Sequence, residues 1–233
     1  NKVTEDLINF WLILLVFSVI RLSLISSRFI DSKLSNWQID ENKLLKLINK
    51  KTKAVIVPHL FGNIAEISKI KSICKRKKVY LIEDCAEAFG CYYKDKHLGT
   101  FGDIGTFSFF PGKNLGAFGD GGGIITNSKN LFEYCKRASA HGALNKYDHK
   151  FSGRNSRLDT IQSAVLSIKL NNYNKVLSRR NNLANIYFEK LKKIKDIKLF
   201  KLNKKNIHCF HQFVIRLEKR NSLQKYLAKN KIE

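Results

Sequence analysis

Two short apolar runs flank a helical segment between residues 54 and 82, and this order constrains the fold more than any other feature. The run Ala54–Pro58 is fully apolar, which is typical of a strand buried in a parallel sheet. A helix with one apolar face is predicted over residues 64–77, and Val79–Ile82 follows as the second strand. Strand, helix and strand joined by short loops predict a parallel sheet and therefore an α/β fold.

The remaining elements are predicted from helix caps and from apolar periodicity. Asp40 is placed to cap a helix over residues 41–49, and Ser128 or Asn127 to cap a helix that ends at Ala140. Apolar residues recur at helical spacing in two further stripes, and we expect both to pack in the core. The stripes cover residues 158–168 and 173–191. Further strands are predicted at 104–110, 123–126 and 209–217, and a last helix is predicted to begin at Ser222.

The composition indicates a folded chain with a strongly basic surface. The 233 residues are 44% hydrophobic and include 16 Phe, which argues against disorder. The net charge of +24 invites a nucleic-acid-binding interpretation, but the lysines are spread along the chain and no zinc-finger or aromatic RNA-binding signature accompanies them. We therefore expect a solvated basic surface and no nucleic-acid partner.

The five cysteines favour a reducing compartment. They form no C-x-x-C pair and their number is odd, so the sequence predicts free thiols, no metal site and a cytoplasmic location.

Residues 1–28 differ from the rest of the chain. The segment 7–25 contains 15 apolar residues in 19, close to the length of a membrane span, but Arg21 would be costly within the bilayer. Three interpretations remain open: a membrane anchor, a buried helix or strand, and a shifted reading frame or wrongly assigned start. Membrane association is the less favoured of these.

Candidate chemistry is concentrated where two of the predicted strands end. Asp84 ends an apolar strand, and ligands of open α/β sheets bind at the carboxyl ends of strands. Lys113 follows another strand end in a glycine-rich turn, where an amine can form a Schiff base with a carbonyl. Ser108 can offer a hydroxyl to an anion. A lysine, an acid and a hydroxyl are the parts that a pyridoxal phosphate (PLP) site requires.

Five linked segments resemble the DegT/StrS-type sugar aminotransferases, which are PLP-dependent enzymes of fold type I. They occupy residues 83–90, 96–103, 107–115, 119–122 and 153–159, and they read EDCAEAFG, KHLGTFGD, FSFFPGKNL, GDGG and GRNSRLD. The resemblance runs from about Phe29 to the C-terminus. It implies a PLP-binding large domain over residues 29–190, with a mostly parallel sheet between helices, and the start of a small α+β domain over 191–233.

The resemblance also implies roles for individual residues. Lys113 would hold PLP covalently, Asp84 would pair with the pyridine nitrogen, and Ser108 would contact the cofactor phosphate. Asn155 would reach the cofactor of a neighbouring subunit, which implies a homodimer. The expected reaction moves an amino group from an amino acid, L-glutamate in our prediction, to a nucleotide-linked keto sugar.

Glu87 departs from the commonest family pattern, which has Gln or His at this position. A carboxylate near the cofactor ring would be repulsive unless it were protonated or turned away, so we interpret Glu87 as a cofactor contact that affects specificity. His208 and His211 have no ligand spacing, and we assign both to the scaffold.

Two features leave alternatives open. The N-terminal part that carries the family's phosphate-clamping loop and stacking aromatic residue is not visible, so we expect an interior fragment that is inactive or weakly active. Within the family, a PLP-dependent sugar dehydratase is an alternative, although Lys113 argues against the group that has His in its place. Outside the family, the alternatives are a membrane-anchored protein and a basic nucleic-acid-binding protein, neither of them an enzyme.

Overall fold

A computed structural model describes residues 27–203 and 205–232, which form six strands and six α-helices. The strands are β1 (Ala54–Pro58), β2 (Tyr80–Asp84), β3 (Tyr92–Tyr93), β4 (Lys96–His97), β5 (Ile104–Ser108) and β6 (Gly122–Ile125). The helices are α1 (Glu41–Leu47), α2 (Ile67–Lys77), α3 (Lys129–Ala138), α4 (Thr160–Asn171), α5 (Tyr173–Leu191) and α6 (Arg220–Lys229). The predictions for residues 1–26 lie outside the described residues.

The central sheet has the strand order β1-β2-β5-β6. β1 pairs with β2 in parallel, with Pro58 opposite Asp84, and β2 pairs with β5 in parallel, with Asp84 opposite Thr106. β6 runs antiparallel to β5, while β3 and β4 form a separate two-stranded ribbon. The predicted α/β class with a mostly parallel sheet is confirmed. The carboxyl ends of β1, β2 and β5 lie at one edge of the sheet.

Side-chain caps mark the start of two of the helices. The Asp40 side chain accepts a hydrogen bond from the backbone of Asn42 at the start of α1, and Ser128 accepts one from Leu131 at the start of α3. Both predicted caps are confirmed. α2 begins later than predicted, at Ile67, and the residue before it, Glu66, has a ψ of 61°, which lies outside the helical region.

The main core lies between α2 and one face of the sheet. Ile67 and Ile70 of α2 are fully buried and belong to the same cluster as Val57 and Leu81 of the strands. Ile56 is 37% exposed, so the prediction that β1 is buried on both faces is wrong for the described part of the chain. Alternate residues of a strand face opposite sides of the sheet, and α2 covers the side of Val55 and Val57.

The two apolar helical stripes are only partly buried in the described structure. Leu166, Tyr173 and Ala184 pack into smaller clusters, whereas Ile161 and Ile168 are largely exposed. The prediction that both stripes form core is therefore wrong for the outer face of α4, and it is also wrong for Val176, Leu183 and Tyr187 of α5, which are 41% to 53% exposed. Among the described residues, none of the helices has the length and apolar character needed to cross a bilayer.

The segment predicted as a strand at 209–217 folds differently. Its residues form no strand in the described structure, and an isolated bridge joins Arg216 to Lys198. Instead the backbone N–H of Cys209 donates to the carbonyl of Gly62, and that of Gln212 donates to the carbonyl of Phe61. These contacts hold the segment against the turn that follows β1, and they bring His211 to the edge of the sheet where β1, β2 and β5 end.

Candidate active site

Asp84 is the last residue of β2. The hydrogen bonds and charges around its carboxylate offset only part of the cost of removing it from water. Its Oδ1 accepts a hydrogen bond of 3.0 Å from the backbone N–H of Ala86. Burial raises the pKa of this carboxyl group, and the N–H of Ala86 and the charge of Lys113 oppose the increase without cancelling it. The site therefore holds a desolvated acid that a cationic ligand group would stabilise.

Lys113 lies in the loop that follows β5, where the chain turns tightly. Its backbone N–H donates to the carbonyl of Phe110 at 2.9 Å, and a Cβ at Gly116 would lie 2.3 Å from the carbonyl oxygen of Pro111. The lysine side chain is 22% exposed, and its Nζ lies 3.7 Å from Oε1 of Glu87. The glycine thus permits a turn that directs the amine back toward the end of β2.

Glu87 links the lysine to the rest of the site. Its Oε2 accepts a hydrogen bond of 2.7 Å from the backbone N–H of Phe61, and its Oε1 faces Lys113 and His211. The hydrogen bond from Phe61 and the positive charge of Lys113 stabilise this carboxylate in its ionised form.

His211 belongs to the site, so its assignment to the scaffold was wrong. Its Nε2 lies 3.9 Å from Oε1 of Glu87, and its Nδ1 lies 3.1 Å from Oδ1 of Asn114. Burial lowers the pKa of the imidazole, and the charges of Lys113 and Arg180 lower it further, against the opposing charge of Glu87. No sequence spacing could have found this residue, since 97 positions separate it from Asn114.

His208 lies in the same segment but stays in the apolar scaffold. It is buried, and burial lowers its pKa to about 4.

The other two predicted residues differ in where they lie. Ser108 ends β5 at the same sheet edge as Asp84, and its Oγ accepts a 3.4 Å hydrogen bond from Phe110. Asn155 is exposed and forms an isolated bridge with Ala140, just beyond the end of α3. The structure therefore brings Asp84, Glu87 and Lys113 together, and it places Asn155 on a separate loop.

Glu83 supports the site from the opposite face of β2. Its carboxylate is fully buried and accepts hydrogen bonds from the backbone N–H groups of Gly99, Phe101 and Gly102, at 2.6 to 2.9 Å, and it lies 3.3 Å from Nε2 of His59. Burial raises the pKa of this carboxyl group, but the hydrogen bonds outweigh burial and the pKa is lowered. Glu83 thereby fixes the loop 99–102 against the end of β2.

One group of the described residues has spacing that a metal ion could use. Ligand atoms of His59, Glu83 and Cys85 lie within 4.8 Å of one another. The Glu83 oxygens already accept four hydrogen bonds, and burial raises the pKa of the Cys85 thiol well above its usual value. We assign this group to the scaffold, because both ring nitrogens of His59 and the Glu83 oxygens already have hydrogen-bond partners and the Cys85 thiol favours its protonated form.

Residues 17–233 match the model of the DegT/DnrJ/EryC1/StrS aminotransferase family. The match begins nearer the N-terminus than Phe29, where the sequence resemblance was placed.

Two curated proteins show comparable similarity. A pleiotropic regulatory protein of Geobacillus stearothermophilus is 40% identical over 206 residues, which are 88% of this chain and 55% of that protein. The dTDP-3-amino-3,6-dideoxy-alpha-D-galactopyranose transaminase of Aneurinibacillus thermoaerophilus is 40% identical over 204 residues, 88% of this chain and 56% of that enzyme. The chain thus spans a little over half the length of these relatives.

A solved structure agrees with both comparisons. The crystal structure of S. venezuelae DesV in complex with a ketimine intermediate superimposes with a TM-score of 0.84 at 33% identity, over 88% of this chain and 55% of that one. The sequence and the fold therefore agree, and the chain belongs to the DegT/DnrJ/EryC1/StrS aminotransferase family.

Proposed function

We propose that this chain is part of a PLP-dependent aminotransferase that transfers an amino group from an amino acid to a nucleotide-linked keto sugar. One relative is named as a transaminase of a dTDP-linked amino sugar, and it is 40% identical to this chain. The observation that carries the proposal is the meeting of Lys113 with the carboxylates of Glu87 and Asp84 at the end of two parallel strands. Because the chain covers about half of its relatives, the activity is proposed for the protein to which it corresponds.

The donor set fits PLP. The cofactor offers an aldehyde, a ring nitrogen that can be protonated and a phosphate, and the site offers an amine, an acid and a hydroxyl to match. Burial raises the pKa of Asp84, and a protonated ring nitrogen beside it would restore the ionised form of the carboxylate. Ser108, at the same edge of the sheet, would contact the phosphate.

Each residue of the site then has a definite task. PLP, when bound, supplies an electron-accepting ring that stabilises negative charge at the α-carbon of the amino donor. Lys113 Nζ would hold the cofactor covalently at rest, and it would move a proton to and from carbon when it is free. The Asp84 carboxylate would keep the proton on the ring nitrogen, and Glu87 would keep the lysine amine oriented toward the end of β2.

The finer assignments belong to the same proposal. L-glutamate is the proposed amino donor. A homodimer is proposed because Asn155 is exposed on its loop, where it is accessible to a second subunit. Five free cysteines are in keeping with the proposed cytoplasmic location.

Covalent trapping tests the proposal. The chain is mixed with PLP, reduced with borohydride and digested, and the modified peptides are identified by mass spectrometry. We expect a visible absorbance band that borohydride bleaches and one dominant adduct on the peptide that contains Lys113. Lys113→Met removes the adduct, whereas Lys175→Met, at an exposed position of α5, retains it.

The pattern of labelling decides the outcome. The chain carries 33 lysine residues, so some labelling of surface lysines is expected in every variant. Equal labelling of the wild type and of Lys113→Met would overturn the proposal. Formation of 2-oxoglutarate from added L-glutamate tests the proposed amino donor. A visible absorbance band of full intensity would contradict the prediction that this chain is inactive or weakly active.

A further inference from the structure

One carboxylate oxygen lies between two groups that can carry a proton. Oε1 of Glu87 is 3.7 Å from Nζ of Lys113 and 3.9 Å from Nε2 of His211. The three side chains are 22%, 24% and 11% exposed for Lys113, Glu87 and His211, so water screens their charges only in part. A change in the charge of one group must therefore change the electrostatic potential at the other two.

The hydrogen bonds of Asn114 determine which nitrogen of His211 is free. The Nδ2 of Asn114 donates to the carbonyl of Cys209 at 3.1 Å, so its Oδ1 is the atom that faces His211. An oxygen can only accept, and Nδ1 of His211 must therefore carry the hydrogen. The neutral ring then has its lone pair on Nε2, which is the nitrogen that faces Glu87.

The charged groups around His211 come from three elements. Glu87 follows β2, Lys113 follows β5, and Arg180 of α5 donates its Nη1 to the carbonyl of Phe210 at 2.9 Å. Lys113 and Arg180 disfavour a proton on the imidazole, whereas Glu87 favours one. If Lys113 became neutral, one of the two opposing cations would be lost and the imidazole would bind a proton more readily.

An amine adds to an aldehyde only in its neutral form, so the ammonium group of Lys113 must release a proton before it can hold the cofactor. That release would leave the Glu87 carboxylate without its cationic partner, close to the carboxylate of Asp84. A neighbouring proton acceptor that becomes cationic at the same moment would remove this cost.

We propose that His211 takes up, through the carboxylate of Glu87, the proton that Lys113 releases before its amine adds to an aldehyde. The proton passes from Nζ to Oε1 and from Oε1 to Nε2, which leaves a neutral amine, an unchanged carboxylate and an imidazolium, so the total charge of the three groups stays constant. Both distances must shorten to those of hydrogen bonds, as catalytic contacts commonly do when a ligand binds. The inference rests on the proposed function, and His211 is a positioning residue because it acts on the amine through Glu87.

The coupling is measurable without any cofactor. The titration of His211 is followed by NMR in the wild-type chain and in two variants. Lys113→Met removes the opposing cation and raises the pH at which His211 titrates, whereas Glu87→Gln removes the favourable anion and lowers it. We expect shifts of about one pH unit, which is a tenfold change in proton affinity. His208, from the same buried segment, is the internal control, and the pH at which it titrates should be the same in all three proteins.

Attachment of the cofactor supplies the second measurement. The rate of borohydride-trapped attachment of PLP at Lys113 is recorded against pH for the wild type, for His211→Asn and for the control His208→Asn. The asparagine amide can keep the hydrogen bond to Asn114, but it cannot bind a proton. We expect His211→Asn to react about tenfold more slowly at pH 7 and to approach the wild-type rate in alkali, where solvent deprotonates the lysine.

The outcomes separate this inference from the proposed function. Unchanged titration of His211 in both variants, or coinciding pH profiles for the wild type and His211→Asn, would overturn the inference and leave the proposed function standing. A wild-type chain that PLP does not modify at Lys113 would overturn the proposed function and, with it, the role of His211 in attachment. In that case the NMR shifts alone would still establish the proton coupling.

Discussion

Glu83 and Asp84 are neighbours in β2, yet their environments shift the pKa values of their carboxyl groups in opposite directions. Glu83 is fully buried on the side of the core and accepts hydrogen bonds from three backbone N–H groups and from His59, so its pKa is lowered. Asp84 is desolvated at the end of the strand with fewer donors, so its pKa is raised. Alternation along the strand thus gives one acid a structural role and leaves the other for a ligand.

We expect Asp84→Asn to stabilise the chain when no cofactor is present. The folded pKa of Asp84 is raised above the usual value of 3.8, so the cost of the ionised carboxylate appears as the pH rises above 3.8 and is complete once the pH exceeds the folded pKa. The variant should melt at a higher temperature at pH 7, and the difference should vanish below about pH 3, where the carboxyl group is protonated in both states.

The same substitution should weaken cofactor binding. Loss of a hydrogen bond to a charged group, about 1.5–3 kcal/mol, predicts an affinity for PLP that is roughly 10- to 100-fold lower. Equal PLP affinity in fluorescence titrations of Asp84→Asn and the wild type would contradict the assigned partner of the ring nitrogen.

Glu83→Gln should be strongly destabilising. The amide would keep one acceptor but direct an NH₂ group at backbone donors, so we expect a loss of about 3–5 kcal/mol in urea unfolding. Because the pKa of Glu83 is lowered, its contribution to stability is present above the usual pKa of 4.5 and is lost as the pH falls through the folded pKa.

The difference between Glu83→Gln and the wild type should therefore shrink in acid. Glu218→Gln, at an exposed position, should change stability by no more than about 0.5 kcal/mol. A loss for Glu83→Gln that is no larger than for this control would show that the loop 99–102 does not depend on the carboxylate.

The contact between Tyr173 and the turn at Gly90 should fix α5 to the site. The Tyr173 hydroxyl donates to the carbonyl of Phe89 at 2.5 Å, and a Cβ on Gly90 would lie 2.5 Å from the tyrosine ring, at a φ of +84°. We expect a loss of about 1 kcal/mol for Tyr173→Phe and at least about 2 kcal/mol for Gly90→Ala. Tyr147→Phe, at an exposed tyrosine, should have no measurable effect in the same urea titrations.

Thiol reactivity should distinguish Cys135 from the other cysteines. Cys74, Cys85, Cys91 and Cys209 are buried, and burial raises the pKa of the Cys74 thiol to about 11, whereas Cys135 is half-buried. We expect a disulfide reagent to modify at most one thiol in the native chain and five after unfolding. Cys135→Ser should remove the reaction of the native chain. Any thiol that still reacts rapidly in that variant would show that the core opens near the site.

The strand–helix–strand order and the helix caps were predictable because they depend on neighbouring residues. The cap of Asp40 and the parallel pairing of β1 with β2 follow from local sequence, and the structure confirms them. The exposure of Ile56 and Ile161 was not predictable, since the apolar pattern of an element does not state which of its faces another element covers.

The sequence alone placed Asp84 and Lys113 at or after strand ends, where ligands of open α/β sheets bind. It could not place His211, because the position of that side chain depends on backbone contacts between Cys209 and Gly62 and between Gln212 and Phe61, which join segments far apart in the chain. Short-range propensities and periodicity therefore determined the framework and two members of the site. Packing between distant segments decided which proton acceptor faces Glu87, because only the folded chain brings those groups within a few ångströms of one another.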